Sequence, residues 1–233
     1  LLDTAGNHVE VPVSNKELGF QGLKRKYYSL ELLMEHPFDG TWYARATYVF
    51  SRSYGNTEGQ LRSDLNQTAA STSEDWDNAA IMEHTNGPQS NDHKHQLKVF
   101  GYWQIAPEWL ASANVSLVSG TPRHCLGYYG PDREDPAGYE GDYHFCNGVP
   151  SPPGEQGRLP WIRQIDLGVT WRPGFGDGKL ALSANVFNVL NERRALQKYP
   201  YSEAGPGVPE PAFGVITARQ EPRYGRLSVS YDF

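Results

Sequence analysis

Residues 161–190 read WIRQIDLGVTWRPGFGDGKLALSANVFNVL, and this stretch decides the fold class. Apolar residues occupy every second position on both sides of the turn at 173–178, namely Ile165, Leu167, Val169 and Trp171 before it and Leu180, Leu182, Ala184 and Val186 after it. An alternation of period two is typical of β-strands with one apolar and one polar face. The stretch therefore predicts an antiparallel hairpin.

The same alternation recurs through the rest of the chain. It covers 25–36, 41–54, 94–106, 109–121, 161–172, 179–190 and the final residues up to Phe233. The connections alternate between short ones (37–40, 107–108 and 173–178) and long ones (55–93, 122–160 and 191–217). Soluble domains rarely contain several such long loops, whereas outer-membrane barrels place short turns in the periplasm and long loops outside.

These patterns predict an all-β fold. It is an antiparallel up-and-down transmembrane β-barrel segment of about seven strands, with long extracellular loops and short periplasmic turns. We assign the whole of 1–233 to this barrel domain, with 1–24 forming either an outer loop or an extra strand. The acidic stretch Ser73–Met82 is a candidate for one short helix within a loop.

Composition agrees with this fold. Only 38% of the residues are hydrophobic, the mean hydropathy is −0.61, and no apolar run is long enough for a transmembrane helix. A barrel strand exposes only half of its side chains to lipid, so a hydrophilic average is compatible with a membrane. The formal net charge of −6 argues against a nucleic-acid partner, because such surfaces are basic.

Four tryptophans lie within a few residues of the short turns: Trp42, Trp103, Trp109 and Trp171. Amphipathic aromatic rings favour the headgroup zone of a membrane, so these four predict an aromatic girdle at the periplasmic interface. The alternative is that they form the core of a soluble β-sandwich. Core aromatics, however, have no reason to cluster at one end of every strand.

The chain ends in YGRLSVSYDF, with a terminal aromatic residue and apolar residues at every second position before it: Leu227, Val229, Tyr231 and Phe233. This ending resembles the assembly signal of bacterial outer-membrane barrels, which the assembly machinery reads as a strand edge. The alternative is an ordinary C-terminal strand of a soluble protein.

Several short motifs resemble one family. VFNVLN at 186–191, followed by a loop and the terminal strand, is similar to the closing hairpin of TonB-dependent outer-membrane receptors. RSYGNTEG at 52–59, NDHKHQLK at 91–98, SGTP at 119–122 and GRLPW at 157–161 narrow the resemblance to the Oar-like branch, whose barrels carry an N-terminal carboxypeptidase-regulatory-like domain. Family barrels have roughly twenty-two strands, so the resemblance, which runs from about residue 18 to 233, implies a C-terminal barrel fragment.

The resemblance also implies a location and partners. The location is the outer membrane of a Gram-negative bacterium. The implied partners are outer-membrane lipid, the barrel-assembly machinery, a plug domain with the remaining strands, the TonB complex acting through that plug, and an unknown ligand that is taken up or exported. No cofactor is expected.

Cys125 and Cys146 both lie in the second long connection. In an exposed, oxidising location, two cysteines in one loop favour a disulfide, and a metal pair is a weaker alternative because no Cys-x-x-Cys spacing is present. His93 and His95 share one strand face and could bind a metal, but a polar strand entrance explains them equally well.

The long connections are acidic. Residues 55–93 hold seven Asp or Glu and one arginine, Arg62. Calcium could bridge such oxygens, or the loops could meet the cationic counter-ions of lipopolysaccharide. No calcium-loop spacing is present, and we interpret these acids as a solvated face. On strand 161–172, Asp166 is expected to join a polar network near Arg163 on the lumen face.

The sequence contains no Gly-x-Ser-x-Gly, phosphate-binding glycine loop or zinc-protease helix, so we expect that the chain is not an enzyme. Two alternatives remain open. One is a secreted carbohydrate-binding β-sandwich, whose apolar faces would pack on each other. The other is a β-architecture glycoside hydrolase, which would bring two carboxylates together in one cleft.

Overall fold

The computed structural model describes residues 12–65, 67, 69–70 and 73–233. They form strands β1 (Arg25–His36), β2 (Trp42–Gly55), β3 (Gly87–Pro88), β4 (His95–Ala106), β5 (Trp109–Val118), β6 (Phe145–Cys146), β7 (Val149–Pro150), β8 (Ile162–Trp171), β9 (Leu180–Phe187), β10 (Ala195–Lys198), β11 (Glu203–Gly205), β12 (Val208–Pro209), β13 (Ile216–Arg219) and β14 (Tyr224–Tyr231). Two 3₁₀ helices cover Ser63–Leu65 and Gly174–Gly176. No helix in the described part of the chain is long and apolar enough to cross a membrane.

One large antiparallel sheet dominates the fold. Its strand order is β1-β2-β4-β5-β8-β9-β14, and the short strand β3 adds to the end of β2. We call these seven long strands the wall. Each strand pairs with the next long strand along the chain, and β1 and β14 are the two edges. This arrangement confirms the predicted all-β, up-and-down antiparallel fold.

The register gives the wall one apolar face. Trp42 lies opposite Trp103 and Leu97 opposite Leu117, so β2, β4 and β5 place their apolar side chains on the same side. The pairs Ala113–Leu167, Leu167–Val186 and Leu182–Val229 continue this face to β14. Because side chains alternate along a strand, the intervening polar residues form the opposite, polar face.

Within the described part of the chain, no second protein layer covers the apolar face. Leu167 is 47% exposed and Val229 is 72% exposed, and the same holds for Leu30, Trp103 and many other large apolar side chains of the wall. In a β-sandwich these residues would be buried between two sheets. The sandwich alternative is therefore wrong.

Side chains on the polar face bind one another. The Asn114 amide donates to Asp166 (3.2 Å), and the hydroxyls of Thr170 and Ser183 lie 2.9 Å apart. Arg163 does not join this network, so that part of the prediction is wrong. It stands three positions from Asp166 on the same strand, hence on the opposite face, and pairs there with Glu192 at 2.5 Å.

Short turns close one end of the wall. In the β1–β2 turn, an Asp39 carboxylate oxygen accepts hydrogen bonds from the backbone N–H groups of Thr41 (2.8 Å) and Trp42 (3.0 Å). Gly40 adopts φ +95°, a conformation that favours glycine. The turns at 107–108 and 172–179 lie at the same end, because the strands are antiparallel and consecutive.

At the other end, the three long connections fold together into what we call the loop cap (described residues of 56–94, 119–161 and 188–223). Its core contains Ile81, Met82, Tyr143 and Phe145, all buried. The short pairs β6–β7, β10–β13 and β11–β12 belong to it. The buried apolar core of the described residues therefore lies in the loops and not between the wall strands.

The helix expected at Ser73–Met82 is absent, and turns take its place. Trp76 has φ +73°, which a right-handed helix does not allow. The side chains of Ser73 and Asn78 accept hydrogen bonds from the backbone N–H groups of Asp75 and Ala80. Such local bonds compete with helical hydrogen bonding.

Candidate functional site

The loop cap is cross-linked to form one unit. A disulfide joins Cys125 and Cys146, with their Cα atoms 5.3 Å apart. Next to it, Leu126 exchanges backbone hydrogen bonds with the third connection, because its N–H donates to Pro200 (2.9 Å) and its carbonyl accepts from Ser202 (2.8 Å). The second and third connections are thus held together beside the disulfide.

Arg62 is the buried centre of the first connection. Its side chain is 4% exposed and pairs with Asp64 at 3.2 Å, Glu74 at 3.6 Å and Asp75 at 3.8 Å. Burial alone would lower the pKa of Arg62, but the nearby carboxylates outweigh it and raise that pKa. Burial would raise the pKa of Asp64, yet the Arg62 charge lowers it. Both groups therefore stay charged inside the cap.

Other acids of the cap are also buried in ion pairs. Asp92 pairs with Arg158, and Glu203 pairs with Arg133 at 2.6 Å. Asp64, Asp75 and Asp92 belong to the acids of 55–93 and lie inside the cap, so a solvated face is the wrong interpretation for these three. Burying a carboxylate without a partner costs far more than leaving it in water, which is why each is paired.

Two histidines, His124 and His144, lie close to Arg62 and Asp64. Burial lowers the pKa of both, that of His144 to about 3, so both are neutral at physiological pH. Burial also raises the pKa of Tyr143, helped by its hydrogen bond to Asp135 at 2.6 Å. The interior of the cap therefore combines a few paired charges with neutral polar rings.

Two cavities lie where the polar face of the wall meets the cap. One, of about 290 Å³, is lined by Arg25, Tyr27, Ser51, Ser53, Asn91, Asp92, His93 and Gln96. The other, of about 320 Å³, lies between the connections, and its lining includes Asp64, Arg123, His124 and Lys198. Asn91 and His93 line both cavities. The rim of the wall therefore carries two adjoining polar cavities that share Asn91 and His93.

His93 and His95 have separate partners. The Nδ1 atom of His93 lies 2.7 Å from the Ser119 carbonyl, whereas that of His95 lies 2.9 Å from the Tyr48 hydroxyl. His95 also stacks on Trp161, with ring centroids 5.8 Å apart. Across residues 12–65, 67, 69–70 and 73–233, no group of three or more His, Cys, Asp or Glu is arranged to hold a metal ion.

The residues expected in the girdle and the assembly signal lie on the wall. Trp42, Trp103, Trp109 and Trp171 occupy the short-turn end of the apolar face, and Trp109 stacks on Trp171 with centroids 5.6 Å apart. Leu227, Val229 and Tyr231 point from the edge strand β14 to the same face, and Phe233 follows just beyond it, fully exposed.

Sequence reasoning missed the core of the cap and the role of Arg62. A signal was present, because Arg62 is the only Lys or Arg among seven acids between 55 and 93. Arg123 and Lys198, which line the 320 Å³ cavity, belong to no sequence pattern that would single them out.

A wall with one exposed apolar face, short turns at one end and a folded cap at the other is the architecture of an outer-membrane β-barrel protein. Solved structures agree. The outer-membrane transporter YddB of Escherichia coli superimposes with a TM-score of 0.58 at 14% identity, covering 91% of this chain and 26% of that protein. The ferric-catecholate import receptor Fiu of E. coli (0.52, 12%; 91% and 22%) and the ferripyoverdine receptor of Pseudomonas aeruginosa (0.52, 12%; 91% and 20%) are similar. At these identities the likeness shows the fold.

The sequence comparison identifies the kind of barrel. The chain is 33% identical over 173 residues to the TonB-dependent transporter Oar of Myxococcus xanthus, an alignment that covers 72% of this chain and 15% of Oar. No family model matches. The chain is therefore part of the barrel of a TonB-dependent outer-membrane receptor, as the sequence resemblance predicts, and it spans about a seventh of the length of Oar.

Location and class follow from these relatives. The chain's location is the outer membrane of a Gram-negative bacterium. The relatives are transporters and receptors and not enzymes, which supports the expectation that this chain is not an enzyme and gives no support to the glycoside-hydrolase alternative.

Proposed function

We propose that this chain supplies part of the barrel wall and three surface loops of a TonB-dependent transporter, and that its loop cap contacts the transported ligand. The observation that supports this proposal is the two-faced wall. Exposed apolar side chains such as Leu167 lie on one side, and hydrogen-bonded polar side chains such as Asp166 lie on the other. An apolar face of this kind suits lipid, and a polar face suits a water-containing or plug-filled lumen.

The proposed partners follow from this arrangement. Outer-membrane lipid covers the apolar face, and a plug domain together with the remaining barrel strands completes the lumen. The TonB complex acts on the plug, and the ligand approaches from the side of the loop cap. Among the described residues, the outer edges of β1 and β14 pair with no further strand, which suits addition of the remaining barrel strands.

Two sets of apolar residues have proposed roles in the membrane. Trp42, Trp103, Trp109 and Trp171 form the girdle at the periplasmic interface, because all four lie at the short-turn end of the apolar face. Leu227, Val229, Tyr231 and Phe233 form the assembly signal, since they present alternate apolar side chains on an edge strand.

Residues 1–24 are proposed to belong to an outer loop. In the described portion, Phe20 packs against Trp76 of the cap, with ring centroids 6.0 Å apart. The extra strand considered for this segment centres on Val9 and Val11, which lie outside the described residues; Val13 is not in a strand.

A labelling experiment tests the orientation of the wall. Single cysteines replace Leu167 and, as a matched control on the same strand but the opposite face, Gln164, in the complete receptor in outer-membrane vesicles. Each carries a nitroxide spin label. We expect the Leu167→Cys label to be relaxed mainly by oxygen, which concentrates in lipid, and the Gln164→Cys label mainly by a water-soluble nickel chelate.

Equal access of both labels to the nickel chelate would contradict the proposal. It would mean that the apolar face is in water or against a wet protein surface. Protection of the Leu167→Cys label from both reagents would also contradict it, because a second protein layer would then cover that face.

A further inference from the structure

The charges around the two rim cavities are unbalanced. Three cationic side chains line them: Arg25 on the wall, Arg123 beside the disulfide, and Lys198 at the end of β10. The acids in the two linings are Asp64 and Asp92. We call Arg25, Asn91, His93, Arg123 and Lys198 the rim site.

Both lining acids already have a cationic partner. Asp64 pairs with Arg62 at 3.2 Å, and Asp92 pairs with Arg158 and also accepts a hydrogen bond from the Ser53 N–H at 2.6 Å. Neither Arg62 nor Arg158 is among the side chains lining the 320 Å³ cavity. The carboxylates therefore cannot serve as partners for the cations of the rim site without breaking buried ion pairs.

The three cations, by contrast, form no ion pair with any residue that the structure describes. The whole chain carries a formal charge of −6, so a local group of unpaired positive charges runs against the average. Such a concave positive patch focuses the field and attracts anions. Neutral donors complement it, since the Asn91 amide lines both cavities.

We propose that the rim site binds an oxyanion group, a carboxylate or a phosphate, of the ligand that the loop cap contacts. This inference rests on the proposed function and adds the chemical class of the ligand. Arg123 and Lys198 line the 320 Å³ cavity and Arg25 lines the 290 Å³ cavity. Each guanidinium group matches the two oxygens of a carboxylate or phosphate, and Lys198 adds a point charge beside Arg123. His93 is held between the two cavities by its bond to the Ser119 carbonyl, with Nδ1 donating at 2.7 Å.

The oxyanion has two possible sources, a soluble molecule or the phosphorylated headgroup of lipopolysaccharide. The complete receptor, purified in detergent, is titrated calorimetrically with sodium pyrophosphate and, separately, with purified lipopolysaccharide. The test variant is Arg123→Gln/Lys198→Gln. The matched control, Arg172→Gln/Lys179→Gln, removes the same charge at the short-turn end of the wall.

We expect the wild type and the control to bind at least one of the two probes. The test variant should bind that probe about a hundredfold more weakly, because each charge-assisted hydrogen bond contributes about tenfold or more to affinity. Binding of pyrophosphate assigns the site to a soluble anion, and binding of lipopolysaccharide alone assigns it to the headgroup. Both support the proposal.

Three outcomes would overturn the inference. The test variant could bind with wild-type affinity, the control could be weakened equally, or the wild type could bind neither probe. The outcome is separable from the function proposed above. A receptor whose Leu167→Cys label lies in lipid, but whose rim site binds no anion, retains its assigned place in the membrane and loses only the ligand class.

Discussion

The wall and the loop cap are folded from one chain, but against different surroundings. In the cap, Ile81, Met82, Leu126 and Tyr143 are completely shielded from solvent. In the wall, Leu167, Leu227 and Val229 are exposed, although they are equally apolar. The same types of side chain are thus covered by protein in the cap and left uncovered by protein in the wall.

This difference separates two sources of stability. Burial of apolar area against protein, at about 25 cal/mol per Å², stabilises the cap as it does a soluble domain. The wall has no such core. Its strands are held by antiparallel backbone pairing, which satisfies the ladder groups between neighbouring strands and leaves the outer edges of β1 and β14 open in the described residues. A bilayer requires such internal pairing of any spanning structure. Perturbations of the two regions should therefore have separate effects.

The largest expected effect is loss of the cap when Arg62 is replaced by alanine. The change leaves Asp64 and Asp75 buried without a cation, and breaking a buried ion pair in this way costs about 3 to 5 kcal/mol. We expect proteases to cleave within 55–93 much faster in Arg62→Ala than in the wild type. The wall should keep its resistance to denaturation by detergent at room temperature.

The control for this change is Arg193→Ala, which removes an exposed arginine from the same cap. It should leave the cleavage rate unchanged. If the wall unfolds together with the cap in Arg62→Ala, the two regions form one cooperative unit. That result would contradict the separate stabilities of wall and cap.

The next effect concerns the wall. Ala113 and Ser112 are neighbours on β5, so they lie on opposite faces at the same depth. Arginine at 113 would face lipid and should destabilise the barrel by about 2 to 4 kcal/mol near the bilayer centre, whereas arginine at 112 would face the lumen. Urea unfolding of the complete receptor in lipid vesicles measures both variants. Equal destabilisation by Ala113→Arg and Ser112→Arg would argue against a lipid-facing surface.

A smaller effect is expected from the disulfide. Replacing Cys125 and Cys146 with serine opens a loop with a sequence separation of 21 residues, which should destabilise the cap by about 2 to 3 kcal/mol on the chain-entropy account. Proteolysis of the cap should accelerate, and the unfolding of the wall should not change. A reducing agent should accelerate proteolysis of the wild type to the same degree and have no effect on the double variant; an effect there would point to some other target of the reductant.

The comparison also explains which parts of the structure the sequence could predict. The alternation of Leu180, Leu182 and Ala184 is local information, so the strand expected at 179–190 is observed at Leu180–Phe187. The fold of the wall follows from seven such segments and their short turns. The alternation also predicts the two faces of the wall. The exception is Arg163, which is expected near Asp166 on the polar face and lies on the opposite face.

The cap could not be predicted in this way. Ile81 and Tyr143 meet in one core from distant connections, and neither belongs to a periodic segment. Likewise, the rim site combines Arg25 from β1 with Arg123 and Lys198 from two different connections. Of these residues, the sequence singles out only His93, as a candidate metal ligand. Contacts between irregular segments leave no period to detect, so no sequence pattern predicts the burial of acids such as Asp92.

The smallest expected effect is a pH dependence confined to the cap. Burial raises the pKa of Glu74 to about 7, and the neighbouring Asp142 adds to this shift, while Arg62 opposes it. Since the folded-state pKa lies above the usual glutamate value of 4.5, the protonated form stabilises the cap fully below pH 4.5. That stabilisation is lost as the pH rises through about 7. His144 acts in the opposite direction, because burial lowers its pKa to about 3 and its contribution falls as the pH drops below 6.5.

The substitution Glu74→Gln separates the effect of Glu74 from that of His144. The wild type and the variant both contain His144, so its contribution cancels when the stabilities of their caps are compared. Glutamine keeps the neutral form at every pH, so the variant cap should resist proteolysis better than the wild type at pH 8 and about equally well at pH 4.5. The gain should be small, at most about 1 kcal/mol, since Glu74 is partly open to solvent, which screens its charge. A wild-type cap as resistant as the variant at pH 8 would show that the Arg62 ion pair, and not burial, controls Glu74. The wall, whose described strands do not include Glu74, should show no difference between the two proteins at any pH.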